Sequence, residues 1–295
     1  MSSRLFVEPD NLLHWVRKLS GLRHGSDNPD ELEKRAVLIE QEFSSLGLDV
    51  ISQVVPFGNR TYRNLVATIP GSEPNLPMLL LGAHYDGPPG SPGADDNASG
   101  VAVLLEMSRL LAETKPRRTV KLVAFTLEEP QGLVRFLIGS EHYARLARQN
   151  GEEYAVALIL ESVGYCDHSE ESQRLPPLVR LPGTSRGDFL AVIGNQHSRE
   201  YAEDFARIAA ANIPELPVIP YCAPPLLARL IPQLFLSDHA SFWSQGYPAL
   251  MLTDTVPLRN PHYHQPSDTV ETLDIEFLAG VTKAVVEVMQ GWAGA

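Results

Sequence analysis

Cysteines and long apolar runs are both scarce in this sequence. Cys166 and Cys222 are the two cysteines among 295 residues, too few for a disulfide framework, and they form no CxxC pair, so two free thiols are expected. No apolar run is long enough to cross a membrane. The first residues also lack the basic stretch and continuous apolar segment of a signal peptide. The sequence therefore predicts a cytoplasmic location and no membrane partner.

Positive charge is also in short supply. The chain has 24 Lys and Arg against 36 Asp and Glu, a net charge of -12, which repels phosphate backbones and excludes nucleic acid as an expected partner. The G-x-S-x-G motif of serine hydrolases is missing, as are H-E-x-x-H, the Walker loop and G-x-G-x-x-G. These absences argue against serine hydrolases and nucleotide-binding enzymes.

The pattern of apolar segments predicts an α/β fold. Four short apolar runs alternate with segments of helical period, and they begin at Met78, Val120, Ala155 and Tyr247. This alternation is typical of a central, mostly parallel mixed β-sheet with helices on both faces. With 44% hydrophobic residues, the chain is expected to form one domain over residues 1–295. N-terminal helices are predicted at about 10–50, and long Pro-rich surface loops at about 175–187 and 213–233.

Each apolar run leads to a side chain that can bind a metal or carry a proton. His84 follows the first run, Glu128 and Glu129 follow the second, Glu161 closes the third, and His264 lies in the loop after the fourth. In open α/β sheets, ligands bind at the carboxyl ends of the strands, where these side chains converge. So many acids at one sheet edge would repel each other without a cation.

The ligand types also indicate which metal this is. Imidazole with carboxylates and no thiolate suits Zn²⁺, with Co²⁺ or Mn²⁺ as substitutes, and disfavours Ca²⁺ and Mg²⁺. Two histidines and three carboxylates exceed the needs of one tetrahedral site, so two zinc ions per chain are expected. Asp95 and Asp96 precede a predicted helix and, taken alone, could simply cap it and oppose its dipole.

Five motifs in order resemble those of the di-zinc aminopeptidase family, which includes bacterial leucine aminopeptidases, glutamate carboxypeptidase and glutaminyl cyclases. They are GAHYDG, PGADDNASG, LEE, an acid at the end of the next strand, and YHQPSDT, and the resemblance covers Arg63 to Leu273. It implies a single-domain zinc exopeptidase fold of the phosphorylase/hydrolase-like type. The family usually has Asp at the position of Glu161, and ligation by the longer side chain is still expected.

The resemblance also implies roles for individual residues. Asp96 would bridge two metals, with His84 and Glu161 completing one site and Glu129 and His264 the other. Glu128 would be the general base and Asp86 would orient the His84 ring. Tyr263, next to His264, is a candidate donor to the oxyanion or, alternatively, a packing residue. Asp95 is then a capping or structural neighbour, and His262 a bystander or a rim residue. Ser237 and Asp238 are interpreted as the cap of a short helix rather than, with His239, as part of the substrate pocket.

The implied function is metal-dependent hydrolysis of peptide bonds. An aminopeptidase acting on a peptide or aminoacyl substrate is expected, using a two-zinc-activated water with Glu128 as general base. Two alternatives remain open: a single-zinc acyltransferase like the glutaminyl cyclases, and a non-catalytic binding domain on the same fold. The sequence indicates neither the preferred substrate side chain nor the oligomeric state.

Overall fold

The computed structural model describes residues 6–132, 135–175, 185–224 and 230–294. Its strands are β1 (Asp49–Phe57), β2 (Arg60–Ile69), β3 (Met78–His84), β4 (Val120–Phe125), β5 (Tyr154–Glu161), β6 (Leu190–Gly194), β7 (Val218–Cys222) and β8 (Ala249–Thr253). They form one sheet in the order β1-β2-β4-β3-β5-β8-β6-β7. The four predicted apolar runs supply β3, β4, β5 and β8, which lie side by side in the centre.

These four central strands are parallel to one another, whereas β1, β2 and β6 join the sheet through antiparallel pairings. The central strands are apolar on both faces because both are covered. In β3, Leu79 and Leu81 face one hydrophobic core and Leu80 faces another. The carboxyl ends of the four strands therefore meet at one edge of the sheet.

Helices cover both faces of the sheet. One core contains residues of α1 (Pro9–Leu19), α2 (Pro29–Ser45), α3 (Gly100–Ala112), α5 (Arg199–Asn212) and α7 (Ile275–Ala293). The other contains residues of α4 (Ile138–Gln149) and α6 (His239–Ser244). The predicted α/β fold with a mixed central sheet is confirmed. In the described ranges, none of the helices is both long and apolar enough to span a membrane.

The predicted loops and N-terminal helices can be compared with the structure only in part. The helical region expected at about 10–50 contains α1 and α2, and β1 begins at Asp49. Residues 176–184 and 225–229 of the two predicted Pro-rich loops lie outside the described residues. The loop predicted at 213–233 is wrong over β7, which pairs with β6 at the end of the sheet. Pro220 is compatible with a strand there because an edge strand can leave one side unpaired.

The short helix α6 places a neutral histidine in the interior. The side chain of His239 is fully buried, its Nε2 contacts the carbonyl oxygen of Leu234 at 2.9 Å, and its ring packs edge-on against Trp243. Burial lowers the pKa of His239 to about 4, although the contact with the Leu234 carbonyl opposes this shift. The folded protein therefore binds a proton at His239 less readily than the unfolded chain does.

This histidine should make folding stability depend on pH. The unfolded chain takes up a proton near the ordinary histidine pKa of about 6.5, while the folded chain resists until about pH 4. The stabilisation from keeping His239 neutral is fully present above the unfolded pKa. About 3 kcal/mol of unfolding free energy is lost as the pH falls from the unfolded to the folded pKa. The free energy of unfolding in urea is measured on chelated protein between about pH 7 and pH 5. His239→Gln should remove the part of its pH dependence that His239 causes. His197→Gln, at an exposed position, should leave it unchanged. Parallel curves for the parent and His239→Gln would contradict the assignment.

Candidate metal centre

His84 ends β3 and carries its side chain to the carboxyl edge of the sheet. The side chain is fully buried, and its Nε2 lies 3.4 Å from both Asp96 Oδ1 and Glu161 Oε2. Glu128 is more distant, with Oε2 at 3.9 Å from the same nitrogen. Glu161, the last residue of β5, is one methylene longer than the Asp that is usual in the family. Its carboxylate is nevertheless accommodated beside His84.

Asp96 lies between two groups of possible ligands. Its Oδ1 faces His84, while its Oδ2 is 3.1 Å from His264 Nε2. That histidine nitrogen is in turn 3.6 Å from Glu129 Oε2. The ligand atoms of Asp96, Glu129 and His264 lie within 4.8 Å of one another, as do those of His84, Glu128 and Glu161. The structure thus brings together all five predicted metal ligands and Glu128.

Asp86 holds the segment that carries the two glutamates. Its Oδ1 accepts a hydrogen bond from the Glu128 amide at 3.0 Å, and its Oδ2 accepts one from the Glu129 amide at 3.1 Å. His84 Nδ1 is 3.5 Å from Asp86 Oδ1. Beyond its predicted role in orienting His84, Asp86 therefore fixes the backbone of both glutamates through its carboxylate.

Asp268, which sequence reasoning did not single out, does the same for the other ligand-bearing segment. Its Oδ1 accepts from the Asp95 amide at 2.9 Å and its Oδ2 from the Asp96 amide at 3.2 Å. Because Asp268 follows His264 by four residues in YHQPSDT, this contact joins the His264 loop to the Asp96 segment. Its spacing from the histidine in a motif already recognised was the available signal.

Asp95 and Asn97 tie the Asp96 segment to the loop after β5. The Asp95 carboxylate accepts from the Gly164 amide at 2.9 Å and from the Asn260 side chain at 2.7 Å. Asn97 Nδ2 donates to the Leu160 carbonyl oxygen at 2.8 Å, beside Glu161. Asp95 is therefore a buried structural neighbour that makes tertiary contacts.

Arg23, which lies far from Asp96 in the sequence, anchors the same segment. It is almost fully buried, and its guanidinium donates to the backbone oxygens of Tyr85, Gly93 and Asp96 at 3.0, 2.8 and 3.3 Å. Sequence reasoning missed it, because a single arginine between two helices gives no signal of burial. Its charge lies behind the ligand segments and is directed at their carbonyl groups.

The cap predicted at Ser237 and Asp238 is wrong in its side-chain contacts. Asp238 occupies the position before α6, but its side chain makes no capping bond. Ser237 Oγ instead donates to Glu161 Oε2 at 2.7 Å, since a buried carboxylate is a stronger acceptor than a neutral group. Both oxygens of Asp238 are buried without a hydrogen-bond partner among the described residues. Burial raises the pKa of Asp238 to about 7, although His84 opposes this shift.

Tyr263 and His262, on the same side of the predicted ligand His264 in the sequence, make different contacts. The Tyr263 ring stacks on the His264 ring with centroids 3.8 Å apart. Burial raises the pKa of the Tyr263 phenol, and the charges of Asp96 and Glu129 add to this, so the phenol keeps its proton. His262 Nδ1 lies 2.9 Å from Ser267 Oγ, and His262 belongs to neither ligand group.

The electrostatics at this edge are dominated by carboxylates. Burial lowers the pKa of His84, but the charges of Glu128 and Glu161 outweigh it and raise the pKa well above its usual value. Burial raises the pKa of Glu128 well above its usual range, against the pull of His84. For Glu129, burial and the charge of Asp96 both raise the pKa. The site therefore favours bound positive charge.

The donor atoms fit zinc. Among the described residues, His84 Nε2, Asp96 Oδ1 and Glu129 Oε1 are buried without a hydrogen-bond partner. Leaving such atoms unpaired is costly, and a metal ion would satisfy them. Imidazole nitrogen with carboxylate oxygen is a ligand set that zinc accepts.

Comparisons with known proteins agree with this chemistry. The chain is 36% identical over 295 residues to the uncharacterized protein YfbL of Escherichia coli, covering 96% of this chain and 88% of that protein. It is 30% identical over 262 residues to a probable zinc metalloprotease of Leptosphaeria maculans, covering 79% of this chain. The chain spans 57% of the length of that fungal protein.

Two solved structures share the fold. BSAP, a zinc aminopeptidase from Bacillus subtilis, superposes with a TM-score of 0.75 at 18% identity, covering 98% of this chain and 96% of that one. The glutaminyl cyclase of Porphyromonas gingivalis superposes with a TM-score of 0.73 at 19% identity, covering 98% of this chain and 100% of that one. These two structures support the fold alone. Their sequences are distant from this one, and one is named an aminopeptidase while the other is named a glutaminyl cyclase.

The family itself is identified by a sequence model. The model of peptidase family M28 matches residues 64–289, which include every predicted ligand. Together with the metalloprotease relative, this match confirms the family resemblance and the zinc metallopeptidase class predicted from the sequence. The chain belongs to peptidase family M28.

Proposed function

We propose that the protein is an aminopeptidase that holds two zinc ions. The observation that carries the proposal is the position of Asp96, which presents one carboxylate oxygen to each of the two histidines. A carboxylate placed in this way suits a shared ligand between two ions. His84 and Glu161 would complete one site, and Glu129 and His264 the other.

The bound metal would polarise the substrate carbonyl and make water nucleophilic at neutral pH. The protein must supply a proton acceptor for that water, and Glu128 is proposed for this role. Its carboxylate lies further from His84 Nε2 than those of Asp96 and Glu161 do, which supports a role other than ligation. Glu128 would take the proton of the attacking water and deliver it to the leaving amine.

Two further residues are assigned supporting roles. Asp86 would hold the Glu128 backbone by accepting the hydrogen bond from the Glu128 amide, which keeps the base within reach of the reacting atoms. Tyr263 keeps its phenolic proton and is therefore suited to donate a hydrogen bond to the developing oxyanion. Its stacking on His264 fixes the ring beside a proposed ligand.

An apolar cavity next to the centre supports an apolar side chain at the cleaved residue. The cavity has a volume of about 100 Å³, and Glu161 and Tyr263 lie in its wall. Its remaining lining is mostly aliphatic and includes Ala191, Ile193, Ile219, Leu234 and Met251. Such a wall favours an aliphatic or aromatic residue over a charged one, because a charged group there would lose its hydration.

Filling this cavity should shift the preference from large to small side chains. Ala191→Leu adds three carbon atoms to the cavity wall, and each methylene misfit in an apolar pocket costs about 10-fold or more in discrimination. The ratio of kcat/KM for a leucine anilide to that for an alanine anilide should fall at least about 10-fold. Ala210→Leu, on an exposed position of α5, is the matched control. An unchanged ratio in Ala191→Leu would exclude this cavity as the side-chain pocket.

Zinc reconstitution with an activity assay tests the proposed function directly. Chelated protein is titrated with zinc, and metal content and hydrolysis of a panel of aminoacyl anilides are measured at each step. The expected result is activity that rises until two zinc ions are bound at the centre formed around Asp96. A single bound zinc together with cyclisation of an N-terminal glutamine would support the glutaminyl cyclase alternative. No bound zinc and no activity would support a binding domain.

A further inference from the structure

A third group of metal-ligating side chains joins the segment after β5 to the start of α7. It consists of Cys166, His168 and Asp274, whose ligand atoms all lie within 4.8 Å of one another. Cys166 Sγ is 3.5 Å from His168 Nε2, and the same nitrogen is 3.9 Å from Asp274 Oδ2. None of these residues belongs to the two ligand groups of the proposed catalytic centre.

The separation of the sulfur and the imidazole nitrogen suits a tetrahedral metal ion, and the Asp274 oxygen lies slightly further out. Zinc–sulfur and zinc–nitrogen bonds of about 2.3 and 2.0 Å at a tetrahedral angle place the two ligand atoms about 3.5 Å apart. The separation of Cys166 Sγ and His168 Nε2 has this value. The nitrogen and the Asp274 oxygen, at 3.9 Å, are too far apart for a hydrogen bond. A tetrahedral ion with bonds of about 2 Å to each would bring these two atoms to about 3.3 Å, so the Asp274 carboxylate would move by about 0.6 Å on binding.

A neighbouring carboxylate orients the imidazole for ligation. Asp188 Oδ2 lies 3.4 Å from His168 Nδ1, the nitrogen directed away from the cysteine and Asp274. A carboxylate on one ring nitrogen favours the tautomer whose other nitrogen is free to bind a metal, a recurrent arrangement around zinc-bound histidines. This contact is independent of the three ligands and points to the same nitrogen.

Backbone contacts hold the other two ligands in position. Asp274 Oδ1 accepts the Phe277 amide at 2.9 Å as the N-cap of α7, which leaves Oδ2 toward His168. The Asp274 amide donates to the Gly164 carbonyl at 2.9 Å, and the Asp167 amide donates to the Gly187 carbonyl at the same distance. These bonds fix the chain on both sides of Cys166. The ligands are therefore placed before a metal binds.

We propose that Cys166, His168 and Asp274 form a peripheral zinc site, separate from the catalytic centre, with water as the fourth ligand. A thiolate and a carboxylate together balance the two charges of the ion, and the imidazole is neutral. On binding, the Cys166 S–H bond breaks, a sulfur–metal bond forms, and one proton passes to solvent. Burial and the charge of Asp274 raise the pKa of the Cys166 thiol to about 12, so the thiol carries its proton until a metal binds.

The segment that the site would clamp also supports the catalytic centre. The Ser162 amide donates to Asn97 Oδ1 at 3.1 Å, and the Val163 amide donates to Ser99 Oγ at 3.0 Å. Both acceptors lie in the turn that contains Asp96. A metal at Cys166 would therefore tie the start of α7 to the segment that positions the proposed bridging ligand.

Cobalt provides a readout that separates this site from the catalytic one. The full chain is freed of metal and titrated with Co²⁺ while near-ultraviolet absorption is recorded. Thiolate bound to Co²⁺ gives a charge-transfer band, whereas the proposed catalytic ligands are all nitrogen and oxygen. The expected result is a band that saturates at one sulfur-bound Co²⁺ per chain. Because no substrate is present, this result is independent of peptidase activity.

Single substitutions identify the sulfur and the imidazole. Cys166→Ser should abolish the band, and Cys222→Ser, at the other free cysteine, should retain it. His168→Gln should weaken Co²⁺ binding at least about 10-fold, and folding is not at stake because the His168 side chain is 71% exposed. His197→Gln is the matched exposed control. A parent protein without the band, or a band that survives Cys166→Ser, would overturn the proposal.

Discussion

Glu128→Gln is expected to lower kcat by about 10²–10⁴-fold, the contribution typical of a positioned proton acceptor. The substitution preserves the shape of the side chain and removes its ability to accept a proton. The main-chain bond from the Glu128 amide to Asp86 does not involve the side chain and should persist. Metal content should therefore stay at the level of the parent, while turnover of a leucine anilide collapses.

Elemental analysis of each variant, made beside the kinetic assay, separates this role from ligation. Glu141→Gln, at an exposed position of α4, is the control for the change of residue type and should match the parent in both measurements. A Glu128→Gln protein as active as the parent would rule out the base assignment. Loss of zinc from that protein would instead make Glu128 a ligand, which its place in a group with His84 and Glu161 permits geometrically.

The centre of the sheet could be predicted because its strands are buried on both faces. A strand such as β5 reads as a nearly continuous apolar run, since its residues alternate between two cores and both exclude water. Leu158 and Ile159 illustrate this, as they are neighbours that pack into different cores. Continuous apolar runs of this length are visible in a single sequence.

The outer strands were harder to recognise for physical reasons. β1 is largely exposed along its length, so it lacks an apolar run, and β7 contains Pro220, which ordinarily argues against a strand. One signal was overlooked: Gly58 and Asn59 form a two-residue connection between β1 and β2. A Gly-Asn pair between extended segments is a hairpin signature.

The grouping of the proposed ligands was predictable, whereas the backbone contacts that support them were not. Ligands are restricted to a few residue types, so their order along the chain carries information about chemistry. Asp268 and Arg23 act on backbone groups of distant segments, and a backbone group has no signature in the sequence. The same holds for Asp86, whose bonds to two amides became evident only from the fold.

A graded loss of metal is expected from substitutions at Asp96 and His264. Asp96 faces both histidines, so Asp96→Asn should remove both zinc ions, whereas His264→Gln should remove one. Since outer partners of a metal site are already worth about 10–100-fold in affinity or activity, either loss of a ligand should lower kcat/KM by at least about 100-fold. Zinc per chain after dialysis against a metal-free buffer, together with anilide hydrolysis, measures both effects. All variants are made in the Cys166→Ser background, which lacks the proposed peripheral site, so that only zinc at this centre is counted.

His262→Gln is the matched control because it changes a histidine two residues from His264 that contacts Ser267 and lies in neither ligand group. It should keep two zinc ions and the activity of the parent. The order of the three variants is the decisive feature, since a general loss of folding would remove both ions from His264→Gln as well. If Asp96→Asn retains both ions, Asp96 is not shared between two sites. If the parent holds a single zinc at this centre, and Asp96→Asn loses it while His264→Gln keeps it, the two-zinc proposal gives way to a single-zinc enzyme.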